Sequence, residues 1–285
     1  MAKVHEVLAA GPTLSFELWP PRDEQRFARV LGELAGLRPH FVSVTYGAAG
    51  STRDRTHDLV TDLLAASLVP VAHLCCAAHR RHELVDLVER YRREGVENIL
   101  ALRGDPPLNS SGALPAGELR YAVELVELVR AVGDFSVGVA AHPEGHPDSR
   151  GALEADLDRA ATKLAVADYA ITQFFFRVED YLRLVEGLAA RGVDKPVVPG
   201  IMPIDRVGQI ARMAEMSGTT FPPRLASRLE AVRDDPDEVR RIGIDVATEL
   251  AQKLQAEDVP GLHFYTMNRS ASVLAVCANL GLGPT

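Results

Sequence analysis

Short apolar runs alternate with helix-like segments along the whole of this 285-residue chain, and nearly every run stops at a polar residue. TLSF stops at Glu17, FVSV at Thr45, VPVA at His73 and NILAL at Arg103, with Asp105 two residues on. VGVAA stops at His142 and YAIT at Gln173. The last two runs end less sharply: VVPGI leads into Met202, and LHFYT into Asn268 and Arg269. Alternating strands and helices imply a parallel sheet. Eight such units let the sheet close into a barrel, whose chemistry collects at the C-terminal ends of the strands. The pattern therefore predicts an α/β protein, a single (β/α)8 TIM barrel over residues 1–285, and it predicts an enzyme. No linker-like stretch divides the chain.

The first strand is expected at residues 14–16 and the seventh at 197–201, the latter continuous. Helix stop signals follow several segments, such as Gly95, Gly133 and Gly192. The stretch DPPLNSSGALPAGE, residues 105–118, is rich in Pro, Gly and Ser. It follows the fourth strand at the active-site end, where it is either a lid over the substrate or an ordinary surface loop.

Charge narrows the function further. The net charge is −8 and no basic stretch stands out, which argues against nucleic-acid binding. No apolar run approaches the ~20 residues that span a bilayer, and the N-terminus lacks a signal-peptide pattern. Cys75, Cys76 and Cys277 are too few for a disulfide scaffold and fit a reducing cytoplasm.

Three polar residues invite specific roles. Glu17 lies between Phe16 and Leu18-Trp19-Pro20-Pro21. A carboxyl among apolar neighbours has a raised pKa, as a general acid requires; the alternative is a structural glutamate paired with an arginine at the barrel mouth. Asp105, after Gly104, could accept hydrogen bonds from the edge of a ligand ring or serve as a turn carboxylate. Gln173 offers both donor and acceptor atoms to a heterocycle. Two His/Cys clusters, His73-Cys75-Cys76-His79-His82 and His142-His146, raise a metal-dependent barrel hydrolase as a distant alternative. Their spacing is poor for a ligand set: neighbouring cysteines on a strand face opposite ways, and Pro143 and Gly145 interrupt any helical two-His motif. His79 and His82 read as part of a solvated, Arg-rich helix. There is no phosphate-binding glycine motif, though barrels hold phosphates with loops and helix N-termini.

Taken in order, SFELWPPR, FVSVTYGAAGSTRDRT, ALRGDPP, AAHPEGHP, AITQFFF, VVPGIMPI and FYTMNR resemble the methylenetetrahydrofolate reductases over almost the whole chain. The resemblance implies a (β/α)8 barrel that reduces 5,10-methylenetetrahydrofolate to 5-methyltetrahydrofolate with NADH or NADPH, NADH being favoured. The partners it implies are a folate and a nicotinamide nucleotide. By motif, Glu17 would be the general acid, and Asp105 would stabilise the cationic intermediate. Asp105, Gln173, Gln209 and Arg269 would hold the folate. Thr45, His73, Arg103, Gly104, His146 and Asp156 match positions that contact FAD, the family's usual hydride relay, with His142 and Lys163 in the same region. Here the chain departs from the pattern. His142 replaces a tyrosine, Thr162 replaces one of a basic pair and leaves Lys163 alone, Arg159 replaces an asparagine, and Met213 replaces an aromatic. The turn after Lys163 has lost its glycine. The erosion falls on the flavin side, so the expectation is direct hydride transfer from the nicotinamide, with FAD relay as the alternative.

Overall fold

The computed structural model describes residues 2–21, 23–46, 53–77, 79–104, 117–149 and 151–283. Asp105, and with it most of the segment read as a lid, lies outside the described residues.

Nine parallel strands form one sheet: β1 Thr13–Leu18, β2 Phe41–Val44, β3 Pro70–Cys75, β4 Asn98–Leu102, β5 Ser136–Ala141, β6 Tyr169–Thr172, β7 Val197–Val198, β8 Gly200–Ile201 and β9 Gly261–Tyr265. Their order is β7-β6-β5-β4-β3-β2-β1-β9-β8. Only Pro199 separates β7 from β8, so they are two halves of one strand and the sheet returns on itself as a TIM-type barrel. The seventh strand is thus not continuous as expected. Proline has no N–H to give to a ladder. Its carbonyl still accepts from the His263 amide at 3.0 Å, and the Gly200 amide turns to the Thr172 hydroxyl at 2.9 Å.

The helices are α1 Val4–Ala10, α2 Glu24–Ala35, α3 Arg53–Ala65, α4 Arg81–Arg93, α5 Ala122–Val132, α6 Leu153–Val166, α7 Val178–Ala189, α8 Val207–Ser217, α9 Pro223–Glu230, α10 Pro236–Ala256 and α11 Ala271–Asn279. Helix α2 shows why they pack as they do. Phe27, Val30 and Leu34 recur at helical spacing and are buried, while Asp23 caps the first turn by accepting from the Arg26 amide at 3.0 Å. Burying each such side chain contributes roughly 1.5–3 kcal/mol. None of the described helices is long and apolar enough to cross a membrane.

The barrel interior is filled separately. Phe41, Val71, Leu100, Tyr169, Ile171 and Val198 pack together with Val4 and Leu8 of α1. That helix covers the N-terminal end of the barrel: the Val4 amide donates to Asn98 Oδ1 at 2.8 Å and the His5 amide to Ser136 Oγ at 3.2 Å, at the starts of β4 and β5. With one end covered, chemistry is left to the other.

Candidate active site

Polar residues stand one position past strand after strand: Thr45 after β2, Arg103 after β4, His142 after β5 and Gln173 after β6. Glu17 differs. Strand β1 runs two residues further than the sequence suggests, so Glu17 is inside it, paired in register with Ser43 on one side and Tyr265 on the other. The polar residues of β1 and β9 alternate, Ser15 and Glu17 against His263 and Tyr265. Residues two apart on a strand share a face, and here that face is the barrel interior.

These four residues build the centre of the site. His263 is buried, with Nδ1 2.8 Å from Ser15 Oγ, and its ring lies between Phe41 and Tyr265. The Tyr265 hydroxyl donates to the Thr172 carbonyl at 2.6 Å. Above them, Glu17 is 12% exposed. Burial pushes its carboxyl up to about 7, partly opposed by a hydrogen bond from Trp19 Nε1 to Oε1 at 3.1 Å. Glu17 Oε2 lies 3.9 Å from His73 Nε2. This is contact without an ion pair, because burial also pushes His73 down to about 3. Both groups are neutral between about pH 3 and pH 7. His73 Nε2 is buried without a hydrogen-bond partner among the described residues. Such an atom costs about 1–3 kcal/mol, and functional sites are where that cost is tolerated.

A second cluster gathers around the end of β5 and α6. The rings of His142 and His146 are 4.8 Å apart. Burial lowers His142 to about 3, and its Nδ1 is another buried atom without a partner. Burial works to raise the Asp156 carboxyl, but hydrogen bonds from Ser149, the His146 amide and Arg159 hold it below the ordinary value. Arg103 pairs with Asp148 at 2.9 Å. Lys163 Nζ donates to the Ala140 carbonyl at 2.7 Å, and burial lowers it to about 8. Thr162 is exposed, its hydroxyl bonded back to the Asp158 carbonyl of its own helix at 2.8 Å. Gly104 has φ +85, and a Cβ there would meet Cys75 Cβ at 2.9 Å, so only glycine fits.

A third region is a pocket lined by Gln209, Arg269, Asp205, Met202, Ile204 and Tyr265. Tyr265 therefore links it to the centre. Arg269 Nη1 lies 3.6 Å from Asp205 Oδ2. Gln173 stands beside Thr172, and its Oε1 accepts from the Phe174 amide at 2.9 Å. Among the described residues, no group of three or more His, Cys, Asp or Glu side chains is placed to hold a metal ion. His79 is not on a solvated helix as read from the sequence. It precedes α4 and is buried, 3.0 Å from the Tyr46 hydroxyl.

Comparison with known proteins places the chain in a family. The methylenetetrahydrofolate reductase family model matches residues 3–281. The chain belongs to that family. An Escherichia coli protein named 5,10-methylenetetrahydrofolate reductase is 38% identical over 276 residues, covering 95% of this chain and 91% of that protein. An Arabidopsis thaliana protein named methylenetetrahydrofolate reductase (NADH) 1 is 34% identical over 300 residues, covering 98% of this chain and 50% of that one. Among solved structures, a Clostridium thermocellum protein described as binding two copies of 5-methyl-5,6,7,8-tetrahydrofolic acid superposes with a TM-score of 0.68 at 13% identity, over 97% of this chain and 96% of that one. That likeness speaks to the barrel alone. Family membership leaves open what Tyr265, His263 and Trp19 do here. The sequence reading passed over all three, although the alternation Ser15, Glu17 and His263, Tyr265 carries the signal for two of them.

Proposed function

We propose that this barrel reduces 5,10-methylenetetrahydrofolate to 5-methyltetrahydrofolate, with hydride passing directly from a reduced nicotinamide nucleotide. The observation that carries the reading is Glu17, a carboxylic acid kept protonated to about pH 7 at the mouth of the barrel. The substrate's one-carbon unit bridges N5 and N10. Protonation of N10 by Glu17 releases that nitrogen and leaves a 5-iminium cation. Hydride from the dihydronicotinamide then adds to the exocyclic carbon, giving the 5-methyl group and the oxidised nucleotide. Glu17, now a carboxylate, recovers its proton from water. A pKa near the working pH is what an acid that must both give and regain a proton requires.

Gln173 would read the pterin edge, and Gln209 with Arg269 would hold the remainder of the folate. Arg269 can present its fork to a carboxylate. Asp105 would oppose the developing positive charge; its role rests on the motif ALRGDPP. The wider groove beyond Arg269 carries Arg26, Arg29 and Arg206, a cationic border in an acidic protein and suited to the folate's anionic tail.

The residues that would grip a flavin's phosphates each already make one contact within the protein, and one charge of the expected basic pair is missing. Lys163 is engaged by the Ala140 carbonyl, Arg103 by Asp148 and Arg159 by Asp156, and Thr162 brings no charge. This favours the direct route, with the nicotinamide lying near Thr45, His73 and His142. An iminium is electrophilic enough to take hydride without an intermediary. The test is the purified protein's absorbance spectrum together with nicotinamide oxidation in the presence of methylenetetrahydrofolate and no added FAD. Colourless, active protein is expected. A stoichiometric flavin band, or activity only with added FAD, would return the reading to a flavin relay.

A further inference from the structure

The only tryptophan in the chain makes a polar contact with the residue proposed as the acid. Trp19 Nε1 donates to Glu17 Oε1 at 3.1 Å while its ring remains 39% exposed at the barrel mouth. The Trp19 backbone is clamped from both sides. The Trp19 amide donates to Asn268 Oδ1 and the Asn268 side-chain amide donates to the Trp19 carbonyl, both at 2.8 Å. Asn268 presents its side chain from a left-handed turn, φ +53, directly after Met267 at φ +51. Asparagine tolerates that region better than most residues. The Asn268 amide bonds to Thr266 Oγ1 at 3.1 Å, and that hydroxyl donates to the Glu17 carbonyl at 2.7 Å. Pro20 and Pro21 follow and hold the preceding residue extended. A closed ring of bonds thus joins Glu17, Trp19, Asn268 and Thr266 across the junction of β1 and β9.

An indole N–H is a donor and never an acceptor. Oε1 therefore meets it with a lone pair, and because the carbonyl oxygen of a neutral carboxyl is the better acceptor, the proton of protonated Glu17 is favoured on Oε2. The described titratable groups facing Glu17 are His73, near Oε2 from β3, and Tyr265, alongside from β9. Neither opposes that assignment: His73 is neutral, and the Tyr265 hydroxyl is committed to Thr172.

We propose that Trp19, clamped by Asn268, is a positioning residue that selects which oxygen of Glu17 carries the transferable proton and holds that oxygen toward the substrate. The proposal rests on Glu17 being the acid. A phenylalanine at this position would fill the space without setting the proton.

The test compares pH profiles of kcat/KM for the wild type, Trp19→Phe and Asn268→Gly, the glycine keeping the left-handed turn while removing the clamp. Without the donor, the carboxylate loses a stabilising bond, so the alkaline limb moves upward by about one pH unit in Trp19→Phe. The rate on the plateau falls about tenfold as the proton distributes over both oxygens and the side chain over more rotamers. Asn268→Gly moves both quantities the same way by less. A readout free of any change at Trp19 is its own fluorescence, which in the wild type should titrate with Glu17 near pH 7 and lose that transition in Glu17→Gln. An unmoved limb in a folded Trp19→Phe enzyme overturns the proposal. So does fluorescence that ignores pH or titrates unchanged in Glu17→Gln. The acid assignment fails by a different sign, near-normal turnover in Glu17→Gln.

Discussion

The centre of the barrel mouth and its β5–α6 side carry polar clusters of opposite construction. Around Glu17, titratable groups are buried and neutral, and His73 Nε2 has no partner. Around Lys163, the charges are already joined to one another or to backbone: Lys163 to Ala140, Arg103 to Asp148, Arg159 and Ser149 to Asp156. The first arrangement leaves a buried polar atom without a partner among the described residues, which is what the proposed reading requires. In the second, each cation already makes at least one contact within the protein, while His142 Nδ1 has no partner among the described residues. The difference teaches that position on the ring alone does not make a residue a ligand contact, because what matters is whether its polar atoms are still available.

The largest expected effect probes the centre. Glu17→Gln keeps the shape and removes the proton, and turnover of methylenetetrahydrofolate should fall by ~10²–10⁴ with little change in KM. Near-normal steady-state turnover would erase the distinction. In the wild type the same acid implies a pH dependence. Glu17 acts when protonated and its carboxyl is raised to about 7, so kcat/KM should hold below about pH 7 and decline above it.

Next in size is acid lability, which both regions share. His73, His142 and His263 are lowered by burial from 6.5 to about 3, so the unfolded chain takes up protons that the folded one refuses. The stability they contribute is complete above about pH 6.5 and is lost as pH falls toward 3. Each removes up to about 1.4 kcal/mol per pH unit through that window. Denaturant midpoints measured across it should fall steeply, and a flat profile would mean that the three rings are solvated.

Two smaller effects separate the regions. Gln173→Ala removes a hydrogen bond to the pterin and should raise the folate KM about tenfold, with kcat less affected. Lys163→Met should destabilise the fold by about 1 kcal/mol through loss of the Ala140 bond, with the KM for reduced nicotinamide within about twofold of the wild type. A rise of tenfold or more in that KM would show that Lys163 leaves Ala140 for a phosphate, and would put the two clusters on the same footing.

Much of this protein can be read from residue order alone. The alternation of short apolar runs with amphipathic segments specifies a barrel, because period-2 and period-3.6 patterning are local properties. The polar residues at the ends of most runs point to one end of the barrel, and the family motifs name the chemistry. Other features depend on what lies across the barrel. Glu17 belongs inside β1 because β9 pairs with it as far as Tyr265. The split at Pro199 depends on Thr172 and His263 taking over the bonds of a broken ladder. Helix α1 takes meaning only from the opening it covers. Whether a carboxyl is an acid or half of an ion pair, and whether a lysine is free or engaged, depends on burial and on partners such as Asn268, 249 residues from Trp19. Those are distances in space, which the order of residues along a strand does not contain.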